Sequence, residues 1–261
     1  MRKSDASSCS ILRALRRAAV LVVAAFALNA PSAQAAYTTL ALPTLNADVR
    51  TFTDGSTYTP FFPGNWTFND VPFVLAEDAA TGNTIWQVNQ DGDALIIPVD
   101  VFGVRSAYTL INSAFGILDA LNGTVTFNGS GGLSYSVNLV QGINIRDHFV
   151  GFYNNVIDGT TARTIPDFPQ GPDTAHLDQQ IYILPDAFAS ATLESIVLTG
   201  SVSSYVDIDT GETILNFPEG LAFIAAATVS TELPGVPEPS TYLLLLAGLG
   251  ALGWSARRRS A

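Results

Sequence analysis

Two histidines, His148 and His176, and five aspartates, Asp147, Asp158, Asp167, Asp173 and Asp178, fall in or beside one stretch of the chain. A histidine titrates near neutrality and can move protons. Two carboxylates facing each other across a cleft can hydrolyse a glycosidic bond. Acid–base chemistry would therefore sit in this stretch. Other catalytic patterns are missing from the sequence: there is no Gly-x-Ser-x-Gly elbow and no His-Glu-x-x-His pair. Lys3 is the only lysine, which leaves no Gly-Lys phosphate loop. One cysteine, Cys9, and two histidines give neither a disulfide framework nor a Cys/His zinc cluster. Each histidine reads more simply as a loop hydrogen-bonding group, so no catalytic residue and no metal-ligand set is assigned.

Hard oxygen ligands for calcium are plentiful in Asn89-Gln90-Asp91-Gly92-Asp93 and in Asp207-Ile208-Asp209-Thr210-Gly211-Glu212. Neither has EF-hand spacing, and both read first as Asp-Gly turns. The expectation is no cofactor, with a structural calcium as the one metal that would suit the chain.

Aromatic rings on loops give a sugar an apolar platform. Trp66, beside Pro63-Gly64-Asn65, is read as the more exposed tryptophan of the body. Trp86 alternates with Thr84 and Val88 and reads as core. A ligand rim is expected from Trp66, Arg146, Asp147, Phe149 and Tyr153. Arg146 and Asp147 would either clamp a ligand or pair with each other to pin the loop.

The elements that must position these residues are strands. Short alternating or β-branched runs, broken by Gly, Asn, Asp and Pro, predict strands over 94–99, 108–112, 123–128, 133–140, 180–184, 193–199, 204–208, 213–217 and 221–230. Asn128-Gly129-Ser130-Gly131-Gly132 and Asp209-Thr210-Gly211 join hairpins. Only 113–121 suggests a brief helical turn. The stretch 147–177, with Pro166, Pro169 and Pro172, reads as one long functional loop. This spacing is that of an all-β antiparallel sandwich of jelly-roll type.

Several words in the body carry a resemblance. Val71-Pro72-Phe73, Tyr108-Thr109-Leu110-Ile111-Asn112-Ser113, Val125-Thr126-Phe127-Asn128-Gly129-Ser130 and Gly142-Ile143-Asn144-Ile145-Arg146-Asp147 look like a bacterial family of galactose-binding-like β-sandwiches. The likeness spans roughly residues 60–230 and implies carbohydrate binding, on end loops or on a sheet face.

Charge separates the body from its ends. The chain of 261 residues has 12 Lys+Arg against 23 Asp+Glu, a net charge of −11. Between residues 36 and 236 there is no lysine, and the only arginines are Arg50, Arg105, Arg146 and Arg163. Such an acidic body excludes binding nucleic acid through its phosphates. The N-terminus reads as a secretory signal peptide, residues 1–35. Arg13, Arg16 and Arg17 precede an apolar run over 18–28, and Ala33-Gln34-Ala35 offers a signal peptidase site before Ala36. The sandwich domain is placed at 36–230 and a linker at 231–240.

The linker holds Pro237-Glu238-Pro239, followed by an apolar stretch over 241–256 and then Arg257, Arg258 and Arg259. As a helix the apolar stretch is about 24 Å long, just short of the hydrocarbon thickness. The arginines would stay in the cytoplasm. This order of parts resembles the PEP-CTERM sorting signal. The resemblance implies an exported protein of a Gram-negative-type bacterium, held in the membrane by the 241–261 helix and basic tail. Exosortase then processes it, leaving it at the cell surface or in the extracellular matrix. The expected function is a non-catalytic module that binds extracellular polysaccharide or organises a biofilm matrix. The alternatives are a purely structural surface protein and, third, a glycan hydrolase.

Overall fold

Alternation decides which face of each strand meets water. In β7, Leu121–Gly129, buried Val125 and Phe127 alternate with the more exposed Thr124, Thr126 and Asn128, so one face takes the core. The same alternation runs through β5, Ala94–Phe102, and β8, Leu133–Val140. With β11, Thr192–Gly200, these strands form a four-stranded antiparallel sheet in the order β5-β11-β7-β8. Gly123 and Gly200 face each other in it. A Cβ on Gly123 would lie 2.4 Å from the Thr199 carbonyl oxygen, and one on Gly200 would lie 2.3 Å from Val88. Both positions need glycine for close approach.

The second sheet behaves differently. Every residue of β6, Ser106–Ala114, is buried, as are nine of the ten in β14, Leu221–Ser230, so this sheet is covered on both faces. Its order is β1-β14-β6-β10-β9, with β1 at Tyr37–Leu40, β10 at Asp178–Ile183 and β9 at Ala162–Thr164. A two-residue strand, β4 (Trp86–Gln87), shares an edge of β14 with β1. The computed structural model describes residues 37–52, 63–116, 118–149, 156–165, 175–201, 203–206, 213–216, 220–234 and Gly248.

One core lies between the two sheets and includes Trp86, Ile97, Ile111, Phe127, Leu139, Ile196 and Ile224. A second core covers the other face of the larger sheet. There a hairpin of β2, Gly64–Phe68, and β3, Val71–Leu75, lays Phe68, Phe73 and Leu75 with Leu110, Phe223 and Ala226. Its turn residues Asn69 and Asp70 have φ of 48° and 65°, the left-handed pair of a type I′ turn. Two polar bonds fasten the hairpin: Thr228 Oγ1 donates to the Pro72 carbonyl at 2.6 Å and Asn69 Nδ2 donates to Gln179 Oε1 at 2.9 Å. A separate hairpin pairs β12, Ser203–Val206, with β13, Thr213–Asn216.

The expected strands over 133–140 and 221–230 match β8 and β14 end to end. The brief helical turn expected over 113–121 is corrected: Ser113 and Ala114 complete β6 and Leu121 starts β7. Between them Phe115, Gly116 and Asp119 have positive φ, which an α-turn excludes. The long loop expected over 147–177 contains β9, paired to β10. The signal segment, the Asp209-Thr210-Gly211 turn and, Gly248 apart, the expected C-terminal helix lie outside the described residues. Among the described residues no helix is long and apolar enough to cross a membrane.

Candidate functional site

Two places in the body gather polar side chains, and they differ in kind. The first is a fork in the larger sheet. β6 and β10 pair from Ser106 with Ile183 to Leu110 with Gln179, and then separate. Into the gap comes the segment around Asp147, bridged in parallel to Ser113, while Phe149 bridges Ala175. Ser113 N donates to the Arg146 carbonyl at 2.9 Å, His148 N donates to the Ser113 carbonyl at 2.8 Å, and His176 N donates to the His148 carbonyl at 2.6 Å. The backbones of the two histidines, 28 positions apart in the chain, thus meet.

A fork strands backbone groups, and buried backbone groups require partners. Side-chain amides supply them. Gln180 Oε1 accepts from Ile111 N at 2.9 Å, and its Nε2 donates to the Ile111 carbonyl at 2.7 Å and to the Asn144 carbonyl at 3.3 Å. Asn112 acts on the other arm. Its Oδ1 accepts from Asp178 N at 2.9 Å, and its Nδ2 donates to Asp178 Oδ2 at 2.7 Å. The Gln180 amide thus stands in for a peptide group toward both backbone groups of Ile111, and Asn112 Oδ1 does so toward the Asp178 N–H.

Arg146 closes the fork. It binds Asp178 with both prongs, Nε to Oδ2 and Nη2 to Oδ1, each at 2.7 Å, and Nη2 reaches Thr164 Oγ1 at 2.9 Å. Asp178 is fully buried and Arg146 is 6% exposed. The ion pair of Arg146 is thus with Asp178, 32 residues on. Asp147, also buried, accepts from the Phe115 and Phe149 backbone N–H groups. His148 is buried between the rings of Phe52 and Phe223. Burial pushes the His176 imidazole down to about 4; Arg146 and His148 push the same way, and Asp178 opposes them. His176 is neutral at pH 7.

Of the expected rim, Arg146 and Asp147 are interior. Phe149 is half-buried at the fork, and Tyr153 lies outside the described residues. Trp66 is half-buried within β2, not beside a turn. It stacks on Phe68 with centroids 6.0 Å apart and planes 4° from parallel. Trp86 belongs to the core, as its alternation suggested.

The acidic turns are occupied by their own backbone. Asp93 Oδ2 accepts from Asn89 N and Gln90 N at 2.9 and 3.0 Å. Asp158 accepts from Thr160 N, Thr161 N and Ala162 N. Its burial would raise the carboxyl, but these bonds and the Thr161 hydroxyl outweigh it and hold the group below its usual range. Arg50 ties Asp48 and Glu77 together at 2.8 and 2.7 Å. Among the described residues no three His, Cys, Asp or Glu side chains gather where a metal would bind. The acidic turn at 207–212 lies outside them.

The second polar place is the outer face of the four-stranded sheet. Its register lines up three rows: Ala94, Thr199, Thr124 and Asn138; Ile96, Val197, Thr126 and Ser136; Pro98, Ser195, Asn128 and Ser134. None of the twelve is charged. Strand and residue spacings make this a patch about 14 Å on a side. Hydroxyls and amides bond across strands, as between Thr126 Oγ1 and Ser136 Oγ at 2.9 Å, and Ser134 Oγ to Asn128 Oδ1 at 3.3 Å. Ile96 and Phe102 on β5 are 60% and 65% exposed. Sequence reasoning assigned no ligand-site residue to this face, although alternating Thr and Ser in β7 and β8 was its signal.

No curated protein matches the chain. Residues 235–259 match the PEP-CTERM protein-sorting motif, which contains the Pro237-Glu238-Pro239 and Arg257 to Arg259 elements singled out above. The motif implies an exported surface protein that is anchored in the membrane before exosortase processes it.

Proposed function

We propose that the body is a non-catalytic jelly-roll module that binds neutral extracellular polysaccharide after export from a Gram-negative-type cell. The observation that carries this reading is the uncharged Thr/Ser/Asn face. In a chain of net charge −11, a patch of uncharged hydroxyls and amides that includes exposed Ile96 and is bordered by Asp100 and Glu194 suits sugar hydroxyls and apolar ring faces. An anionic polymer would meet the acidic remainder of the surface unless divalent ions bridged the two.

The jelly-roll assignment is supported by connectivity. Eight strands, β1, β5, β6, β7, β8, β10, β11 and β14, pair first with last: β1 with β14, β5 with β11, β6 with β10 and β7 with β8. Rolling that antiparallel ribbon brings β14 beside β6 and β11 beside β7, and both pairs occur. The non-catalytic assignment is supported by the carboxylates of Asp147, Asp158 and Asp178, each of which accepts more than one protein hydrogen bond. A second reading, a surface spacer or assembly unit, is favoured by the open edge of β8.

The test is retention of the exported protein on neutral and on anionic polysaccharide beads, with and without calcium. Saturable retention on neutral beads is expected. Retention on neither matrix would leave the assembly reading, and retention on anionic beads only with calcium would replace the neutral ligand by a bridged one. Separately, Glu238→Ala should leave an unprocessed, membrane-held form, seen as a larger band in the membrane fraction. Normal release of that variant would count against exosortase processing.

A further inference from the structure

The two edges of the four-stranded sheet are built unlike each other. An open strand edge invites another strand, and proteins guard such edges with proline, charge or irregular backbone. β5 has all three: Pro98 and Asp100 lie within it, Asp100 has φ of 58°, and the pairing with β11 shifts register between Leu193 and Ser195. β8 has none of them. It runs Leu-Ser-Tyr-Ser-Val-Asn-Leu-Val, without proline or charge, and pairs with β7 in unbroken register from Leu133 to Leu139. Among the described residues no strand pairs with its other side.

One side chain partly closes that side and shows how it is oriented. Asn144 Nδ2 donates to the Asn138 carbonyl at 2.9 Å, and Asn144 Oδ1 accepts from Val140 N at 2.7 Å. In an antiparallel ladder alternate residues aim both backbone groups the same way, so the even-numbered residues of β8 aim theirs away from β7. Asn144 covers the far end, and Ser134 and Ser136 present N–H and C=O at the near end. Charge favours contact here as well. Between Asp119 and Arg146 no charged residue occurs, so two copies meeting along β8 avoid the like-charge repulsion that most of this acidic body would impose.

We propose that β8 is a self-association edge, at which a second copy of this chain adds antiparallel about a two-fold axis. With Asn144 closing the far end, the axis falls at Tyr135. Ser134 then pairs with Ser136 of the partner subunit, and the reciprocal pair completes four main-chain hydrogen bonds. The result is one eight-stranded sheet. Because β5 is guarded, the assembly stops at two copies instead of extending into a fibre. The contact is small, so it is weak in dilute solution and strengthened where the protein is concentrated on a surface. It holds whether or not the sheet face binds polysaccharide.

The test is sedimentation of the full chain in detergent over a wide concentration range, with two variants. Ser136→Pro removes an outward N–H that no β7 pairing uses. The double variant Ser134→Lys, Ser136→Lys places like charges across the axis. The wild type should dimerise with rising concentration. Each variant should weaken the dimer at least tenfold with its melting temperature unchanged, and salt should partly restore the lysine variant. If Ser136→Pro fails to fold, the lysine variant decides. A wild type that stays monomeric, or a dimer that neither variant weakens, overturns the proposal.

Discussion

The two sheets of the sandwich use polar residues in opposite ways. In the larger sheet, covered on both faces, the polar side chains that hold the fork are buried and committed: Arg146 to Asp178, Gln180 to Ile111, Asn112 to the Asp178 backbone. In the smaller sheet, covered on one face, polar side chains stand toward water in rows and bond mainly to one another. A buried polar cluster therefore need not be a site. Here the cluster with the most chemistry-bearing residues repairs a break in a ladder, while the chemically plain face remains accessible.

The largest effect expected at the fork comes from Arg146→Ala, which leaves the Asp178 carboxylate buried without its cation. A loss of about 3–5 kcal/mol is predicted, read from chemical denaturation of the exported protein. Arg146→Met combined with Asp178→Leu should recover part of it. If Arg146→Ala melts like the wild type, the fork is not what holds this end of the sheet.

Gln180→Ala should come next, at roughly 1–3 kcal/mol, because both backbone groups of Ile111 lose a buried partner. Hydrogen exchange at the Ile111 amide should accelerate in that variant. Unchanged exchange would show that the ladder does not need the amide.

Stability should also depend on pH. His176 is held near 4 in the fold against an ordinary value of 6.5. Between those values the unfolded chain binds the extra proton. Its contribution is therefore complete above pH 6.5 and lost as pH falls toward 4. Melting temperature should drop across that window, and less steeply in His176→Gln. Equal slopes would remove His176 from the account.

The smallest effect belongs to the open face. Thr126→Val or Ser136→Ala should change stability by no more than about 0.5 kcal/mol. A larger loss would mean that the face stabilises the fold and would erase the contrast.

Strands that obey alternation were legible in the sequence. β8 and β14 are visible end to end, and the Gly-rich link from β7 to β8 is the expected turn, with Gly131 and Gly132 at φ of 74° and 78°. The fork was not legible. Arg146, Asp147 and His148 look like loop residues because they are polar, and only the folded topology reveals that they lie beside Ser113 as a segment bridged to it in parallel. The partner of Arg146 lies 32 residues away, beyond any local pattern. Trp66 was misplaced for a related reason: the turn sits at Asn69 and Asp70, not at Pro63-Gly64-Asn65, and that shift moves the ring from a loop into a strand.

The most direct measurement of the central claim compares one variant from each place on neutral polysaccharide beads. Thr124→Glu with Asn128→Glu, four residues apart on one strand and so not opposite each other, should abolish retention while the melting temperature holds. Gln180→Ala should lower the melting temperature while the folded fraction is still retained. Retention that survives the glutamates, or that disappears with Gln180→Ala in protein still folded, would contradict the division of roles between face and fork.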